Sequence, residues 1–248
     1  MLKKLDLFVT GELTEGVLIE RSNRFLAICN LYDKGQIKNE KVHVHDPGRL
    51  KELLYPGNKI LVRRAPEGTK RKTKWDMIAA RYDNKWIFIN SAYHRKISEY
   101  ILNDESINPF GIPGKIIPEV SFGHSRIDFV IRYEDDGNND TYSSNRDIAI
   151  EVKGCTLAIN GKALFPDAPT SRGARHIDTL LNIKNNGMRA GIMMLVFRDA
   201  ECFLPFEKRD PIFAEKFYKG IKEGIEIHAL QLEFDGLSIT YRREIPVC

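Results

Sequence analysis

Two opposite charges lie in the apolar, β-branched segment "DIAIEVKGCTL" (residues 147–157). Successive side chains of a β-strand point to opposite faces, so Glu151 and Lys153 share one face while the isoleucines and the valine share the other. In "SRIDFVIRY" the same alternation separates Asp128 from an apolar face. The midpoint between residues 128 and 151 falls inside the polar segment "GNNDT". A hairpin closed there places Asp128 opposite Glu151, with Cβ atoms about 5 Å apart.

Two facing carboxylates repel each other, and at a half-buried site they share a proton or hold a cation. Carboxylate oxygens suit Mg²⁺ or Mn²⁺, which also keeps waters and binds substrate phosphate oxygens. Lys153 on the same face can orient a water or stabilise negative charge developing on phosphorus. We therefore predict that Asp128 and Glu151 bind Mg²⁺ or Mn²⁺ and that both act with Lys153 in phosphodiester hydrolysis. The alternative is a cross-strand salt-bridge cluster on a solvated sheet face.

The segments before residue 91 predict a small β-barrel, because short strand-like stretches alternate there with turn signals. "DPGRLKELLYPG" predicts one or two helical turns, with Asp46 as a possible N-cap. Five strands with one short helix are the outline of an OB-fold, which commonly binds oligonucleotides, although a fold alone does not establish function. We predict that residues 1–90 form an OB-like nucleic-acid-binding domain.

The pattern changes after residue 91, and residues 91–248 are predicted to form a second domain. Apolar spacings of three and four predict helices in "SAYHRKISEYILND" and "RGARHIDTLLNIKNNG". Three strand candidates lie between these helices, and "RAGIMMLVFR" reads as a buried strand after them. One more helix and two closing strands follow. The predicted fold class is α/β (α+β).

Basic residues are concentrated in "RRAPEGTKRKTKW" and in "FPDAPTSRGARH", which leads into the second predicted helix. Both segments suit phosphate groups, since backbone N–H groups at a helix start also attract anions. The alternatives are an ordinary solvated loop, a helix cap and, for His176, a packed histidine or a proton-transfer group. The residues predicted to contact nucleic acid are Arg49, Arg63, Arg64, Lys70, Arg71, Lys72, Lys74, Arg172, Arg175 and His176.

Composition narrows the class of protein. Of 248 residues, 42% are hydrophobic and 29% charged, with a net charge of +4, which is typical of a globular protein rather than a disordered or membrane protein. No apolar run approaches the ~18 residues of a membrane helix, and the N-terminal residues lack a signal-peptide core, so we expect a cytoplasmic protein. Four scattered cysteines without a CxxC pair predict buried or incidental thiols rather than a zinc site or a disulfide scaffold.

Several longer segments of the sequence resemble those of a known protein family. "EVKGCTL" followed by "ALFPDAPTSRGARH", together with "HVHDPGRLKELLYPG" and "PEVSFGHSRIDF", resembles the signature segments of the sugar fermentation stimulation protein family over essentially the whole chain. Asp128 and Glu151-Val152-Lys153 resemble the active-site motif of the PD-(D/E)xK nuclease superfamily. The resemblance implies an N-terminal OB-like β-barrel followed by a PD-(D/E)xK restriction-endonuclease-like α/β domain with a central mixed sheet. By position, Asp128, Glu151 and Lys153 match the acidic, acidic and basic members, and Glu119 is a candidate second-shell or second-metal carboxylate.

The resemblance further implies a DNA-binding protein of a bacterial or archaeal cytoplasm, linked by name to the regulation of sugar metabolism. Three functions stay open at this point: a metal-dependent nuclease, a non-catalytic DNA-binding regulator that retains the nuclease fold, and an enzyme for a small phosphorylated or nucleotide substrate. The intact carboxylates favour the nuclease, because two carboxylates without a metal would repel DNA. Single- or double-stranded DNA is the expected partner, no membrane is expected, and a homodimer is one candidate assembly.

Overall fold

The computed structural model describes residues 3–9, 11–65, 68, 71–133 and 146–248. Lys70 and the "GNNDT" segment lie outside the described residues. The strands are β1 (Lys3–Phe8), β2 (Leu13–Asn23), β3 (Leu26–Asp33), β4 (Gln36–His43), β5 (Lys59–Arg64), β6 (Trp75–Tyr82), β7 (Lys85–Phe88), β8 (Lys115–Phe122), β9 (Ser125–Arg132), β10 (Ile148–Cys155), β11 (Leu157–Ile159), β12 (Lys162–Phe165), β13 (Arg189–Val196), β14 (Cys202–Pro205), β15 (Glu226–Phe234) and β16 (Ser238–Ile245). The helices are α1 (His94–Leu102), preceded by a 3-10 turn at Ser91–Tyr93, α2 (Ser171–Asn185) and α3 (Pro211–Lys222).

One large mixed sheet runs through the described part of the chain, in the order β4-β3-β2-β5-β6-β7-β15-β13-β10-β9-β8. A parallel contact between β4 and β6 closes the N-terminal strands on themselves, which is the predicted barrel. Strands β10, β13 and β15 pair in parallel, whereas β8, β9 and β10 pair antiparallel. The predicted fold class is confirmed: an N-terminal OB domain and a C-terminal α/β part with a mixed sheet.

Pairing of β7 with β15 joins the barrel strands to the C-terminal sheet, and β1 pairs with β16 near the end of the chain. The division at residue 90 stays a prediction. Strand β13 lies between two parallel neighbours, and all but its first residue are buried, as its continuous apolar run predicts. Helix α2 is capped by Thr170, whose hydroxyl accepts a hydrogen bond from the Gly173 N–H at 3.0 Å.

The segment "DPGRLKELLYPG" forms no regular helix, so the predicted helix start at Asp46 is wrong, and a single helical turn forms only beyond Leu50. Leu50 has a left-handed backbone (φ +46°), and its carbonyl accepts the N–H groups of Leu53 at 3.0 Å and of Leu54 at 2.7 Å. Asp46 accepts a hydrogen bond from the Gly48 N–H at 2.7 Å and so stabilises a turn ahead of that point. The apolar spacing has a different cause, because Leu50, Leu53 and Leu54 all point into the core.

The prediction of incidental thiols is wrong for two of the four cysteines. Cys202 and Cys248 form a disulfide, while Cys29 and Cys155 are free and buried. The last residues of the chain lie beside β14, with Phe203 N–H donating to Pro246 and Cys248 N–H donating to Phe203. This pairing brings together cysteines 46 residues apart, a proximity that their spacing does not reveal. None of the helices in the described ranges is long and apolar enough to span a membrane.

Candidate metal centre

Asp128 and Glu151 lie where strands β9 and β10 separate. The paired residues are Ile148 with Ile131, Ala149 with Val130 and Ile150 with Phe129. The next pair in this register is Glu151 with Asp128, so the predicted register is confirmed. Backbone pairing stops at this point, and Asp128 Oδ2 instead accepts a hydrogen bond from the Val152 N–H at 2.7 Å. The carboxylate of Asp128 is thereby anchored to the strand that carries Glu151 and Lys153.

Glu151 is almost completely buried, with 2% of its surface exposed. Its Oε1 accepts hydrogen bonds from the Lys153 ammonium and from Nδ1 of His176. Arg172 donates to the other ring nitrogen of His176, Nε2, at 3.3 Å, which leaves the proton of a neutral ring on Nδ1. Helix α2 therefore holds Glu151 in place through His176. Oε2 of Glu151 is buried and has no hydrogen-bond partner among the described residues.

The two carboxylates differ in electrostatic environment. Burial, followed by the charge of Glu151, raises the pKa of Asp128, and the nearby Lys153 offsets only part of this effect. Burial alone would also raise the pKa of Glu151, but the hydrogen bond from His176 and the charge of Lys153 together hold it below its usual value. The positive charges near Asp128 therefore do not offset its burial as they do for Glu151, and a cation beside Asp128 would lower its pKa.

These residues fit a divalent cation of the Mg²⁺ type. An unpartnered carboxylate oxygen at a buried position normally costs stability, and a cation would remove that cost. Mg²⁺ needs only one or two protein carboxylates, because waters and substrate phosphate complete its shell. The described residues contain no group of three or more His, Cys, Asp or Glu side chains arranged to hold a metal.

Glu119 lies on the far side of Asp128, in strand β8. Its neighbours pair with residues 129 and 127 of β9, which places Glu119 at the level of Asp128. The backbone of Glu119 is left-handed (φ +56°), an uncommon conformation in a strand, and its half-exposed carboxylate pairs with Arg126 at 3.2 Å. Glu119 and Asp128 line one cavity of about 230 Å³ together with His94. Glu119 thus adjoins the centre but does not join Glu151.

His94, at the start of α1, is a site residue missing from the sequence predictions. Its ring stacks on Phe197 with centroids 5.9 Å apart, and burial lowers its pKa to about 4. A Cβ atom on Gly154 would lie 2.2 Å from His94 Cε1, so only glycine allows this contact. The sequence signal that could have revealed this contact is Gly154 itself, because a glycine inside a strand often marks a close approach of another group to the backbone.

Several residues predicted to contact nucleic acid instead form ion pairs and hydrogen bonds with other residues of the barrel. Asp76, with 2% of its surface exposed, hydrogen-bonds with Arg63 at 3.2 Å and with His45 at 3.0 Å, and it forms an ion pair with Arg71 at 2.5 Å. Arg64 lies over the Trp75 ring, 4.8 Å from its centroid, and pairs with Asp33 at 3.6 Å. Lys72 and Lys74 are exposed. The segment therefore contains a buried structural cluster as well as solvated charges.

On α2, Arg172 and Arg175 are exposed and His176 is buried against Glu151. Arg49 is exposed on the turn that follows β4. This turn contacts the segment ahead of α2, because Leu50 N–H donates to Asp167 Oδ2 at 3.0 Å. The two segments line a cavity of about 210 Å³, which also includes Gly154 of β10. The barrel thus reaches the segment ahead of α2 and the cavity beside Gly154 of β10.

Comparison with known proteins agrees with this architecture. Residues 19–89 match the model of the SfsA N-terminal OB domain, and residues 92–237 match the model of the sugar fermentation stimulation protein RE domain. A sugar fermentation stimulation protein homolog of Methanococcoides burtonii is 40% identical over 237 residues, which cover 94% of this chain and 92% of the relative. A homolog of Sulfurisphaera tokodaii is 41% identical over 238 residues, covering 95% and 91%.

Among solved structures, Pyrococcus furiosus SfsA in complex with Ca²⁺ is similar, with a TM-score of 0.84, 29% identity and 99% of both chains covered. The match therefore extends over both halves of the fold and not only over the candidate metal centre. This chain belongs to the sugar fermentation stimulation protein family.

Proposed function

We propose that this protein binds DNA and hydrolyses phosphodiester bonds at the centre formed by Asp128, Glu151 and Lys153, with Mg²⁺ or Mn²⁺ bound. The observation that carries the proposal is the buried, unpartnered Oε2 of Glu151 beside the strand separation occupied by Asp128. A salt-bridge cluster on a solvated face would leave neither carboxylate oxygen buried without a partner.

Asp128 and Glu151 would hold the cation, which when bound would activate a water and neutralise charge on the phosphate group. The protein's own groups have separate tasks. The Val152 N–H fixes the direction of the Asp128 carboxylate, and His176 fixes that of Glu151. Lys153, 18% exposed, keeps its ammonium at the surface of the site, where it can stabilise negative charge on phosphorus.

Two further observations support the proposal. The related protein from Pyrococcus furiosus was solved in complex with Ca²⁺, a cation that, like Mg²⁺, takes oxygen ligands. Exposed Arg172 and Arg175 lie on α2, whose His176 contacts Glu151, and exposed Arg49 lies on the turn that contacts the segment ahead of α2; these arginines can contact the phosphates of a bound strand.

A non-catalytic DNA-binding regulator is the second candidate, and one observation favours it. Oε1 of Glu151 is already engaged by both Lys153 and His176, so one half of the carboxylate is not free for a ligand. The name of the family points to sugar fermentation, which suits a regulator of sugar metabolism. Both candidates require nucleic-acid binding that weakens with added salt.

The test is incubation of the protein with single- and double-stranded DNA and RNA in Mg²⁺, Mn²⁺ or EDTA. We expect metal-dependent cleavage, reduced at least about 100-fold in Asp128→Asn and in Lys153→Ala. Asp178→Asn is the control, since this half-exposed carboxylate pairs with Lys216 on α3. Calorimetry with Mn²⁺ alone should show binding that Asp128→Asn weakens and Asp178→Asn does not.

Binding of DNA without cleavage under every condition would refute the enzyme and leave the regulator. If Mn²⁺ binds wild type and Asp128→Asn equally, the metal centre lies elsewhere.

A further inference from the structure

One edge of strand β4 has no partner strand over most of its length. Strand β4 pairs with β3 from Gln36 to His43, but with β6 only at Val42 and His43. No other strand of the described part of the chain pairs with residues 36–41, because β4 lies at the end of the large sheet. An edge strand with free N–H and C=O groups can pair with a strand of another chain.

The turn that leads into β4 determines which of its backbone groups point outward. Lys34 and Gly35 both have left-handed backbones (φ +50° and +76°), as in the two-residue turn of a tight hairpin. Asp33 and Gln36 flank this turn, so they form a hydrogen-bonded pair, and hydrogen-bonded and non-hydrogen-bonded pairs then alternate along β3 and β4. The residues whose N–H and C=O groups point away from β3 are therefore Ile37, Asn39 and Lys41.

Two copies of β4 can pair antiparallel about a two-fold axis, and charge selects one register. With Asn39 on the axis, Ile37 lies opposite Lys41 of the second copy, and the outward groups of both strands form hydrogen bonds. Lys38 then lies opposite Glu40 of the second copy at both ends, in the non-hydrogen-bonded positions where side chains are closest. An axis at residue 38 would set two lysines opposite each other, and an axis at residue 40 two glutamates, and both arrangements are unfavourable.

The charges on this edge are available to a second copy. Lys38 pairs with Asp33 at 3.3 Å and is 43% exposed, whereas the described residues include no ion-pair partner for Glu40. Lysines on an edge strand commonly protect it from pairing. In β4, however, a glutamate lies two residues from a lysine, so an antiparallel strand of the same sequence meets each charge with the opposite one.

Apolar surface is exposed beside the same edge. Ile37 is 67% exposed and lies opposite Tyr32, which is 52% exposed, across the hairpin. In the register with Asn39 on the axis, the aliphatic stem of Lys41 from the second copy lies next to Ile37 and covers part of it. Symmetry repeats this contact, so pairing removes apolar surface from water at both ends of the interface.

We propose that β4 is the interface of a homodimer, in which two copies pair antiparallel along residues 37–41 with Asn39 on the two-fold axis. The partner of this edge is thus a second copy of the chain. A pair of single strands buries less surface than a permanent dimer, so the dimer is weak and depends on concentration. This assignment is independent of phosphodiester hydrolysis at the candidate metal centre.

The test is sedimentation velocity of the full chain over a range of concentrations, combined with charge reversal. Wild type should change from monomer to dimer as its concentration rises. Lys38→Glu and Glu40→Lys each set like charges opposite each other at both ends, so each should raise the dissociation constant of the dimer at least about tenfold. An equimolar mixture of these two variants should form a heterodimer about as tight as the wild-type dimer, because opposite charges then meet at both ends.

A backbone variant and two control variants separate pairing from a general effect of charge. Asn39→Pro removes an outward N–H group without breaking the ladder to β3, so it should abolish the dimer. Lys222→Glu and Glu215→Lys reverse exposed charges on α3 and should leave the dimer unchanged. Thermal unfolding should show that the charge variants fold as wild type does, because their side chains lie at the surface.

Three results would overturn the interface: a wild type that is monomeric at every concentration, a dimer that the β4 variants leave unchanged, or a mixture of Lys38→Glu and Glu40→Lys that forms no heterodimer. Equal loss of the dimer in the α3 controls would show an effect of net charge and would also overturn it. If wild type stays monomeric and Lys38→Glu weakens binding of a labelled oligonucleotide, the edge binds nucleic acid and the assignment is wrong.

Discussion

Replacing Asp76 by Asn tests whether the basic residues of the barrel are structural. Burial alone would raise the pKa of Asp76, but hydrogen bonds from His45 and Arg71, joined by Arg63, lower it to about 2. One pKa unit corresponds to about 1.4 kcal/mol, so the drop from 3.8 to about 2 corresponds to about 2 kcal/mol of stability at pH 7. Asp76→Asn should lose about that amount, or somewhat more, because two guanidinium groups lose their buried partner.

Because the pKa of Asp76 is lowered in the folded protein, the stability that its carboxylate contributes is lost when the pH falls. The carboxylate of Asp76 stabilises the folded protein fully above the unfolded pKa near 3.8, and this contribution disappears as the pH falls through about 2. We expect urea unfolding to show the full difference between wild type and variant at pH 7 and at pH 5, and about half of it at pH 3.

Asp199→Asn is the matched control, because this carboxylate is 66% exposed and pairs with Lys85 at 2.6 Å. It should change the free energy of unfolding by no more than about 1 kcal/mol. The interpretation is refuted if Asp76→Asn is as stable as wild type at pH 7, or if its loss does not shrink between pH 5 and pH 3.

Three further changes address the domain contact, the chain end and the centre. Burial and a nearby carboxylate raise the pKa of Asp46 to about 6, so Asp46→Asn should be more stable than wild type by about 2–3 kcal/mol above pH 7, measured by urea unfolding. Cys248→Ser opens a 46-residue loop closed through Cys202 and should lower the free energy of unfolding by about 2–4 kcal/mol. Gly154→Ala drives a methyl group into the ring of His94 and should destabilise the protein by about 1–3 kcal/mol in thermal unfolding.

Each of these outcomes has its own check. The gain in Asp46→Asn should vanish below about pH 4, where the carboxyl group is protonated in both folded and unfolded protein, and a gain independent of pH contradicts the argument. Reductant should destabilise wild type as much as Cys248→Ser does and leave that variant unchanged. Adding His94→Ala to Gly154→Ala should restore part of the lost stability, and no recovery would show that the clash is not the cause.

The candidate metal centre could be predicted from local periodicity in the sequence. Alternation along two strands and the symmetry of one connection were enough to set Asp128 opposite Glu151, because a strand's side chains have a strict period of two. The helices of the C-terminal part followed from apolar spacing and caps, which are also local. The same rule failed for "DPGRLKELLYPG", where three buried leucines repeat at helical spacing but Leu50 adopts a left-handed backbone.

The partners of the charged residues were decided only by the tertiary structure. Arg63 and Arg71 have the composition of a phosphate-binding loop, yet Asp76 from the next strand binds both. His176 was predicted among the nucleic-acid contacts, but the packing of α2 against β10 directs it to Glu151.

By itself, then, the sequence determined the fold class, the two strands of the centre and their register, because those depend on periodicity along the chain. The folded structure decided which charges are buried and paired, which cysteines meet, and that one oxygen of Glu151 has no partner among the described residues. These features depend on contacts between residues distant in sequence, and the free energy of a charged group is set by the groups that surround it in space.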